Sequence, residues 1–148
     1  MIRVSNLSFS YTNTDVQVLQ RVNLRYETGE FALICGPTGS GKSTLIKTLT
    51  GLVPHFTGGK LTGSIRIADA EMIGRKTHEF ANLVGYVNQQ PQGFFVGETG
   101  TDELVFGMEQ LGFSPADMSA ALTRVAKLLD LTSYLDSPLE ALSGGMQQ

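Results

Sequence analysis

One eight-residue stretch carries the residue types that can bind a polyphosphate. It has a glycine, four variable positions and then Gly-Lys-Ser: Gly36-Pro37-Thr38-Gly39-Ser40-Gly41-Lys42-Ser43. The glycines allow successive backbone N–H groups to converge on one anion, because no Cβ atoms block its approach. A helix that follows such a loop adds the positive end of its dipole. The pattern therefore predicts a phosphate site for a nucleotide.

The residues at the end of this stretch have separate predicted roles. We expect the main-chain amides between Pro37 and Thr44 to hold the phosphates, with Lys42 reaching the β- and γ-phosphates. The Ser43 hydroxyl is the predicted ligand of Mg²⁺. Thr44 stands where the dinucleotide-binding fingerprint requires a third glycine, so that class of site is excluded.

The elements on either side of the loop fit this role. Phe31–Cys35 is an unbroken apolar run, which is typical of a parallel strand buried on both faces. Residues 42–52 have the apolar spacing of a helix, which Gly51 would end. We expect Cys35, next to the loop, to be a small buried hydrophobic residue.

The remaining pattern divides the chain into a β-rich α/β half and a helical half. Short apolar or alternating segments predict strands at 2–9, 22–26, 61–68 and 83–87. From Thr101 the apolar period becomes helical, and Gly112 would end this helix. Ser114 and Pro115 are typical of a helix N-cap and first position. The helix that follows them carries an apolar stripe: Met118, Leu122, Val125 and Leu129. We place the switch between the halves near Gly97.

Composition limits the classes of function. The 148 residues include 11 Lys+Arg and 14 Asp+Glu, for a formal net charge of -3. This balance gives no electrostatic basis for wrapping nucleic acid, so we expect no nucleic-acid partner. Every apolar run is shorter than the roughly 20 residues of a transmembrane helix, and the first residues lack a secretory signal pattern. We expect a soluble, cytoplasmic chain.

A segment near the end of the sequence resembles the signature motif of the ATP-binding-cassette (ABC) transporter ATPases. It reads Leu142-Ser143-Gly144-Gly145-Met146-Gln147-Gln148. The resemblance implies that Ser143, Gly144 and Gly145 contact ATP. These positions would form a second anion site at a helix N-terminus, by the same physical logic as the first.

Two further segments resemble the same family. The segment from Val84 to Pro91 is similar to its glutamine loop, which implies that Gln89 is catalytic and approaches Mg²⁺ or the attacking water. Gln90 is the alternative register, and Pro91, two positions beyond Gln89, favours Gln89. The Ser-Phe-Ser-Tyr segment that ends at Tyr11 resembles the family's aromatic loop. That resemblance implies that Tyr11 stacks on adenine.

The resemblance covers the whole sequence and implies a fold, cofactors and partners. The fold class is α/β: a P-loop NTPase core of the ABC type with an antiparallel β subdomain and an α-helical subdomain. We expect the N-terminal part of one ATPase domain, with the phosphate and glutamine loops in 1–97, the helical subdomain in 98–142 and the start of the signature helix in 143–148. The implied cofactors are ATP and Mg²⁺. The implied partners are a second ABC ATPase domain, bound head to tail, and integral membrane transporter subunits at the cytoplasmic face of the cell membrane.

Within the family, two segments are most similar to the energy-coupling-factor branch. These are 51–59 and 101–107, and the first is similar to the first half of proteins that carry two cassettes on one polypeptide. The branch drives uptake of vitamins and of metal cations such as cobalt. The resemblance therefore implies import, while the substrate stays open because selectivity belongs to other subunits.

The sequence departs from the family pattern after the signature. The family continues into an apolar strand that ends in Asp and is followed by a catalytic Glu (the Walker B segment), with a switch histidine later. This sequence ends at Gln148, and both His55 and His78 precede the signature. We therefore expect an incomplete cassette that binds ATP without hydrolysing it alone. We also expect poor solubility, because the predicted strand Phe31–Cys35 would lack a neighbour.

Three alternatives remain open at this point. A GTPase or small-molecule kinase could use the same loop, but the Asn-Lys-x-Asp motif for guanine is absent, and a kinase would give 142–148 no role. A cassette ATPase in DNA repair or translation would tend to have a basic surface. A non-catalytic nucleotide-binding module is the third alternative.

Overall fold

The chain forms two compact units. A computed structural model describes residues 1–14 and 16–148. The first unit is Met1–Tyr86 and the second is Val87–Gln148. None of the helices in these ranges is long and apolar enough to cross a bilayer.

The first unit is built on a four-stranded antiparallel sheet. Its strands are β1 (Ile2–Ser10), β2 (Gln17–Tyr26), β3 (Lys60–Ile67) and β4 (Ala70–Glu71), in the order β2-β1-β3-β4. In β1 the buried side chains are Val4, Leu7 and Phe9, and a register shift between Val4 and Leu7 accounts for their odd spacing. The antiparallel β subdomain expected from the sequence is therefore present, because alternating patterns specify one buried and one exposed face.

Two short helical segments pack on the buried face of this sheet. Helix α1 is Lys42–Leu49, and α2 is a four-residue segment, Leu52–His55. Helix α1 ends before the predicted Leu52, because Gly51 takes a left-handed φ of 70°. Ten buried apolar side chains form the core: Val4, Leu7, Phe9, Leu19, Leu45, Val53, Ile65, Ile67, Met72 and Phe80.

Two predicted strands are absent from the structure. Phe31–Cys35 and 83–87 have no strand pairing within the described ranges, and Phe31 and Leu33 are 94% and 78% exposed. Cys35 is also exposed, so its predicted burial is wrong. An apolar run indicates only that its side chains can be buried. A strand also needs backbone hydrogen bonds to a neighbouring strand, which an apolar run does not predict.

The second unit is helical. Its helices are α3 (Gly100–Gln110), α4 (Pro115–Leu128) and the short α5 (Gly144–Gln147). The predicted cap of α4 is confirmed, because the Ser114 hydroxyl accepts from the Asp117 N–H at 3.2 Å and Pro115 is the first helical residue. The Gly112 N–H donates to the Glu109 carbonyl at 3.0 Å, which closes the end of α3.

The apolar stripe predicted for α4 is correct along most of the helix. Met118, Leu122 and Val125 are partly buried, and α3 packs against α4. Leu129 lies just beyond the helix and is 58% exposed. Sequence spacing thus identified the packed face but not the residue at which the packing ends.

Helix α3 begins with a capping box. The Thr99 hydroxyl oxygen accepts from the Asp102 N–H at 3.2 Å, while the Asp102 carboxylate accepts from the Thr99 hydroxyl at 2.7 Å and the Thr99 N–H at 3.1 Å. These hydrogen bonds, the one from the Thr99 hydroxyl first, hold the pKa of Asp102 below its ordinary value of 3.8.

We predict that Thr99→Ala lowers the thermal midpoint of the chain at pH 7, since loss of an N-cap costs about 1 kcal/mol.

The lowered pKa of Asp102 stabilises the folded state at pH values above 3.8, the ordinary pKa that the carboxyl has in the unfolded chain. This contribution disappears as the pH falls through the pKa of the folded state. The difference between wild type and Asp102→Asn should therefore shrink on acidification from pH 5 to about pH 2. Circular dichroism melts measure both effects. Thr99→Ser keeps the hydroxyl and should match wild type; equal melting of Thr99→Ala and wild type at pH 7 would contradict the prediction.

Candidate phosphate-binding site

The predicted phosphate loop leads directly into α1. Gly41 is the N-cap residue, and the first bond of the helix runs from the Leu45 N–H to the Gly41 carbonyl at 2.8 Å. The N–H groups of Lys42, Ser43 and Thr44 therefore precede the first intrahelical donor, as in any helix. They point out of the helix towards the loop, where an anion can accept from them. The helix predicted after the loop is confirmed.

Gly41 is required at this turn for two reasons. Its φ is 90°, in the left-handed region where a side chain is disfavoured. A Cβ atom at this position would also lie 2.9 Å from the Val18 carbonyl oxygen and 3.3 Å from Leu19 Cδ2. The start of α1 consequently sits against β2 more closely than any other residue type would permit.

The Lys42 ammonium group lies inside the loop. Its Nζ donates to the carbonyl oxygens of Gly36 and Pro37, both at 2.8 Å, and lies 3.5 Å from Ser40 Oγ. The Ser40 N–H donates to the Pro37 carbonyl at 3.2 Å and closes a turn. Among the described carboxylates, none forms an ion pair with Lys42. A positive charge that forms no ion pair with a described carboxylate is thus held by two backbone acceptors, beside the N–H groups at the start of α1.

The two hydroxyl residues after Lys42 have different surroundings. Ser43 is exposed in the first turn of α1. Thr44 is only 8% exposed, and its hydroxyl shares a hydrogen bond of 3.1 Å with the Tyr11 hydroxyl. The Thr44 side chain is therefore occupied within the protein, and its backbone N–H is the group available to a phosphate.

Tyr11 lies beside α1 at the end of β1. Its ring packs edge-on against Phe9, with ring centroids 4.8 Å apart, and its hydroxyl end is joined to Thr44. These two contacts fix the ring relative to the start of the phosphate-binding helix. The sequence indicated a role for the aromatic ring of Tyr11. No sequence pattern indicated the hydrogen bond between its hydroxyl and Thr44. Stacking on adenine stays a prediction.

The second unit contains the candidate glutamine. Gln89 is exposed, and its carbonyl accepts from Gln148 Nε2 at 3.4 Å. Gln90 is the residue before a short 3₁₀ turn, Pro91–Gly93. The predicted role of Gln89 towards Mg²⁺ or water stays a prediction, as does the preference for Gln89 over Gln90.

The signature segment forms the start of α5 in the same unit. Ser143 occupies the N-cap position, and Gly144 and Gly145 are the first helical residues. All three are exposed, and a Cβ atom on either glycine would meet nothing within 4 Å. Packing inside the described chain therefore gives no reason for glycine at these two positions.

Two side chains to which the sequence assigned no individual role form hydrogen bonds within this unit. Gln147 Nε2 donates to the Leu139 carbonyl at 2.7 Å, and its Oε1 accepts from Gln92 Nε2 at 3.0 Å. The Glu103 carboxylate accepts from the N–H groups of Val96 and Gly97 at 2.9 and 3.0 Å. Gln147 and Glu103 thus form side-chain hydrogen bonds to backbone groups of other segments. Such bonds have no characteristic spacing in the sequence.

The donor set suits a magnesium-bound phosphate better than a metal held by protein alone. No group of three or more His, Cys, Asp or Glu residues lies close enough to hold a metal ion in the part of the chain that the structure describes. Mg²⁺ commonly keeps waters and binds through substrate phosphates plus one or two protein oxygens. The exposed Ser43 hydroxyl, beside the phosphate-facing amides, fits that mode of binding.

Comparison with known proteins decides the family. The family model for ABC transporters matches residues 19–148, a range that includes the phosphate loop and the signature segment. The chain belongs to the ABC transporter family. This membership decides against the GTPase and small-molecule kinase alternatives, which share only the phosphate loop.

The relatives with known sequences are longer than this ABC-family chain. It is 40% identical to a provisionally named ABC transporter ATP-binding protein of Streptomyces avermitilis, over 100% of this chain and 26% of the relative. A similarly named protein of Methanosarcina mazei is 37% identical over 100% of this chain and 25% of its own length. The chain thus spans about a quarter of the length of these relatives.

Solved structures show the same fold. The cbiO1 protein of Clostridium perfringens, part of the ABC transporter complex cbiONQ, matches 99% of this ABC-family chain and 57% of its own, with a TM-score of 0.82 and 20% identity. An ATP-binding subunit of an ABC transporter matches 99% of this chain and 57% of its own, with a TM-score of 0.78 and 26% identity. A dimeric ATP-binding cassette bound to ADP and Pi matches 99% of this chain and 65% of its own, with a TM-score of 0.78 and 24% identity.

We predict that Gly41→Ala destabilises the chain more than Gly39→Ala. Both residues have positive φ, 90° and 81°, so each alanine costs about 1–2 kcal/mol in backbone conformation. At Gly39 a Cβ meets nothing within 4 Å, whereas at Gly41 it meets the Val18 carbonyl, which adds a further ~1–3 kcal/mol. Urea unfolding of both variants measures the difference, and equal midpoints would show that the contact with β2 is unimportant.

Proposed function

We propose that this chain is the ATP-binding part of an ABC transporter ATPase and binds Mg-ATP at Gly36–Ser43. The observation that carries the proposal is the position of Lys42, whose ammonium group lies 2.8 Å from two loop carbonyls, beside the free N–H groups at the start of α1. A polyphosphate is the ligand that satisfies such a cation and several convergent N–H donors together.

The residues around the loop have separate tasks in this proposal. The N–H groups of Lys42, Ser43 and Thr44 bind the phosphate oxygens, and the Lys42 ammonium offsets their charge. The Ser43 hydroxyl holds Mg²⁺, which when bound neutralises charge that develops on the phosphates. Tyr11 supports the adenine ring, and its bond to Thr44 keeps it beside α1.

The signature segment is proposed to bind the γ-phosphate of ATP that is held by a second ABC ATPase domain. Two such domains would associate head to tail, with Ser143, Gly144 and Gly145 of one facing the phosphate loop of the other. The support is that a Cβ on Gly144 or Gly145 has free space within this chain, so close approach by another molecule is the remaining reason for glycine. The dimeric cassette bound to ADP and Pi has the same fold.

We further propose that ATP binding and hydrolysis in the whole protein drive import through integral membrane subunits, at the cytoplasmic face of the membrane. Gln89 would contact Mg²⁺ or the attacking water. A change in that contact would alter the conformation of the loop that follows it. Phe94 and Val96 in that loop are 66% and 63% exposed, which suits contact with another subunit. The resemblance of 51–59 and 101–107 to energy-coupling-factor cassettes favours a vitamin or a metal cation as cargo.

Replacing Lys42 tests the phosphate site. We expect Lys42→Ala to weaken Mg-ATP binding by at least about tenfold, because a charge-assisted hydrogen bond contributes ~1.5–3 kcal/mol. Isothermal titration calorimetry on the chain measures the change. Lys47→Ala is the matched control, since it removes the same charge from the last turn of α1 and should stay within about twofold of wild type. Equal affinities of Lys42→Ala and wild type would refute the proposed site.

Replacing Gly144 tests the proposed second contact. Alanine favours a helix over glycine by ~1 kcal/mol, so Gly144→Ala should keep or raise the thermal midpoint and leave Mg-ATP affinity unchanged. The methyl group should nevertheless weaken ATP-dependent association of two copies by at least about tenfold, because it would occupy space meant for a phosphate. Sedimentation velocity with and without ATP measures association, and Ser133→Ala, at another exposed position of the same unit, is the control. If Gly144→Ala associates with ATP as strongly as wild type, the signature segment does not form the proposed second contact.

A further inference from the structure

The first unit contains a cavity at the end of α1 that is remote from the phosphate loop. Its volume is about 510 Å³, and Thr48, near the end of α1, is one of the residues that line it. The floor consists of the core side chains Val53, Ile65 and Met72, which are 1%, 1% and 5% exposed. Small-molecule sites typically have volumes of roughly 300–1,000 Å³ and largely apolar linings.

The cavity has a cationic rim. Lys60, Arg75 and Lys76 line it together with His55, and none of the lining residues that the structure describes is acidic. Within the same ranges no carboxylate forms an ion pair with these three cations. Their grouping is notable in a chain whose formal net charge is -3. The Glu79 carboxylate accepts from the Lys76 N–H at 3.2 Å, but it does not pair with any of the three cationic groups.

Backbone hydrogen bonds fix the two segments that carry these cations. Lys60 is the first residue of β3 and pairs with Ser10 of β1. Arg75 and Lys76 follow a turn in which the Arg75 N–H donates to the Met72 carbonyl at 3.2 Å. The rim is therefore formed by two segments that are fixed by backbone hydrogen bonds.

We propose that this cavity binds a small amphipathic anion, with a carboxylate or phosphate head and a short apolar body. The head lies between Lys60, Arg75 and Lys76, and the apolar body contacts the core side chains of the floor. The site is separate from the phosphate loop, because the eight residues of α1 extend ~12 Å at 1.5 Å per residue. The proposal is independent of the proposed ATP site.

Titration with n-hexyl phosphate and with hexanoate, followed by ¹H–¹⁵N NMR of the whole chain, tests this site. We expect saturable shifts at residues of the cavity and stronger binding of one head group, which identifies the anion. Inorganic phosphate and n-hexanol should each bind at least about tenfold more weakly, since each lacks one half of the ligand. Similar affinity for n-hexanol and both anions would overturn the cationic part of the proposal.

Charge removal provides the decisive comparison. Lys60→Ala/Arg75→Ala/Lys76→Ala should weaken binding by at least about tenfold, because the head group loses its charged donors. The matched control is Arg3→Ala/Arg25→Ala/Arg66→Ala, which removes the same charge from three exposed, cross-strand neighbours of the sheet and should bind normally. Arg75→Glu alone, at an exposed position, should act in the same direction if the triple variant fails to fold.

The phosphate loop must also be excluded as the binding site. Lys42→Ala should weaken ATP binding and keep the hexyl phosphate shifts, which separates this proposal from the proposed function. Shifts confined to Gly36–Ser43, or normal binding by Arg75→Glu and by a folded triple variant, would overturn the proposal.

Discussion

The bonds from the Lys42 ammonium to the carbonyls of Gly36 and Pro37 are the interaction around which the candidate site is organised. They bring the two ends of the loop together and place a positive charge beside the free N–H groups of α1. The loop backbone alone offers an anion only partial charges, whereas the ammonium adds a full charge within the same space. In the first unit, Leu45 of α1 packs into the same core as the buried side chains of the sheet.

The sheet holds the helix through two contacts on different strands. Gly41 lies against the Val18 carbonyl of β2, and Thr44 shares a hydrogen bond with Tyr11, next to the end of β1. One contact is steric and the other is polar, so the first turn of α1 is fixed in both distance and rotation. The buried face of the sheet, represented by Leu7 and Phe9, supplies the packing against which these contacts are made.

Local patterns predicted much of this architecture. The alternation in β1 and β3, the loop before α1 and the Ser114 cap of α4 depend on residues close in sequence, so they could be read directly. Phe31–Cys35 could not, because its state depends on a neighbouring strand, and Cys35 is exposed with it. Nor could the bonds of Thr44 to Tyr11 and of Gln147 to Gln92 be foreseen, because they join residues whose proximity only the fold creates. The assignment of Tyr11, Gln89 and Ser143–Gly145 came from family resemblance, and their roles remain predictions.

The two adjacent glycines at the start of α5 have a further consequence for the stability of this turn. Each glycine loses more conformational freedom in a helix than alanine does, and the pair disfavours the ordered state by about 2 kcal/mol, or roughly thirtyfold in an equilibrium constant. Because the turn is already helical in this structure, the cost falls on the fold of the second unit, and a partner that contacts the turn would meet it in its formed state.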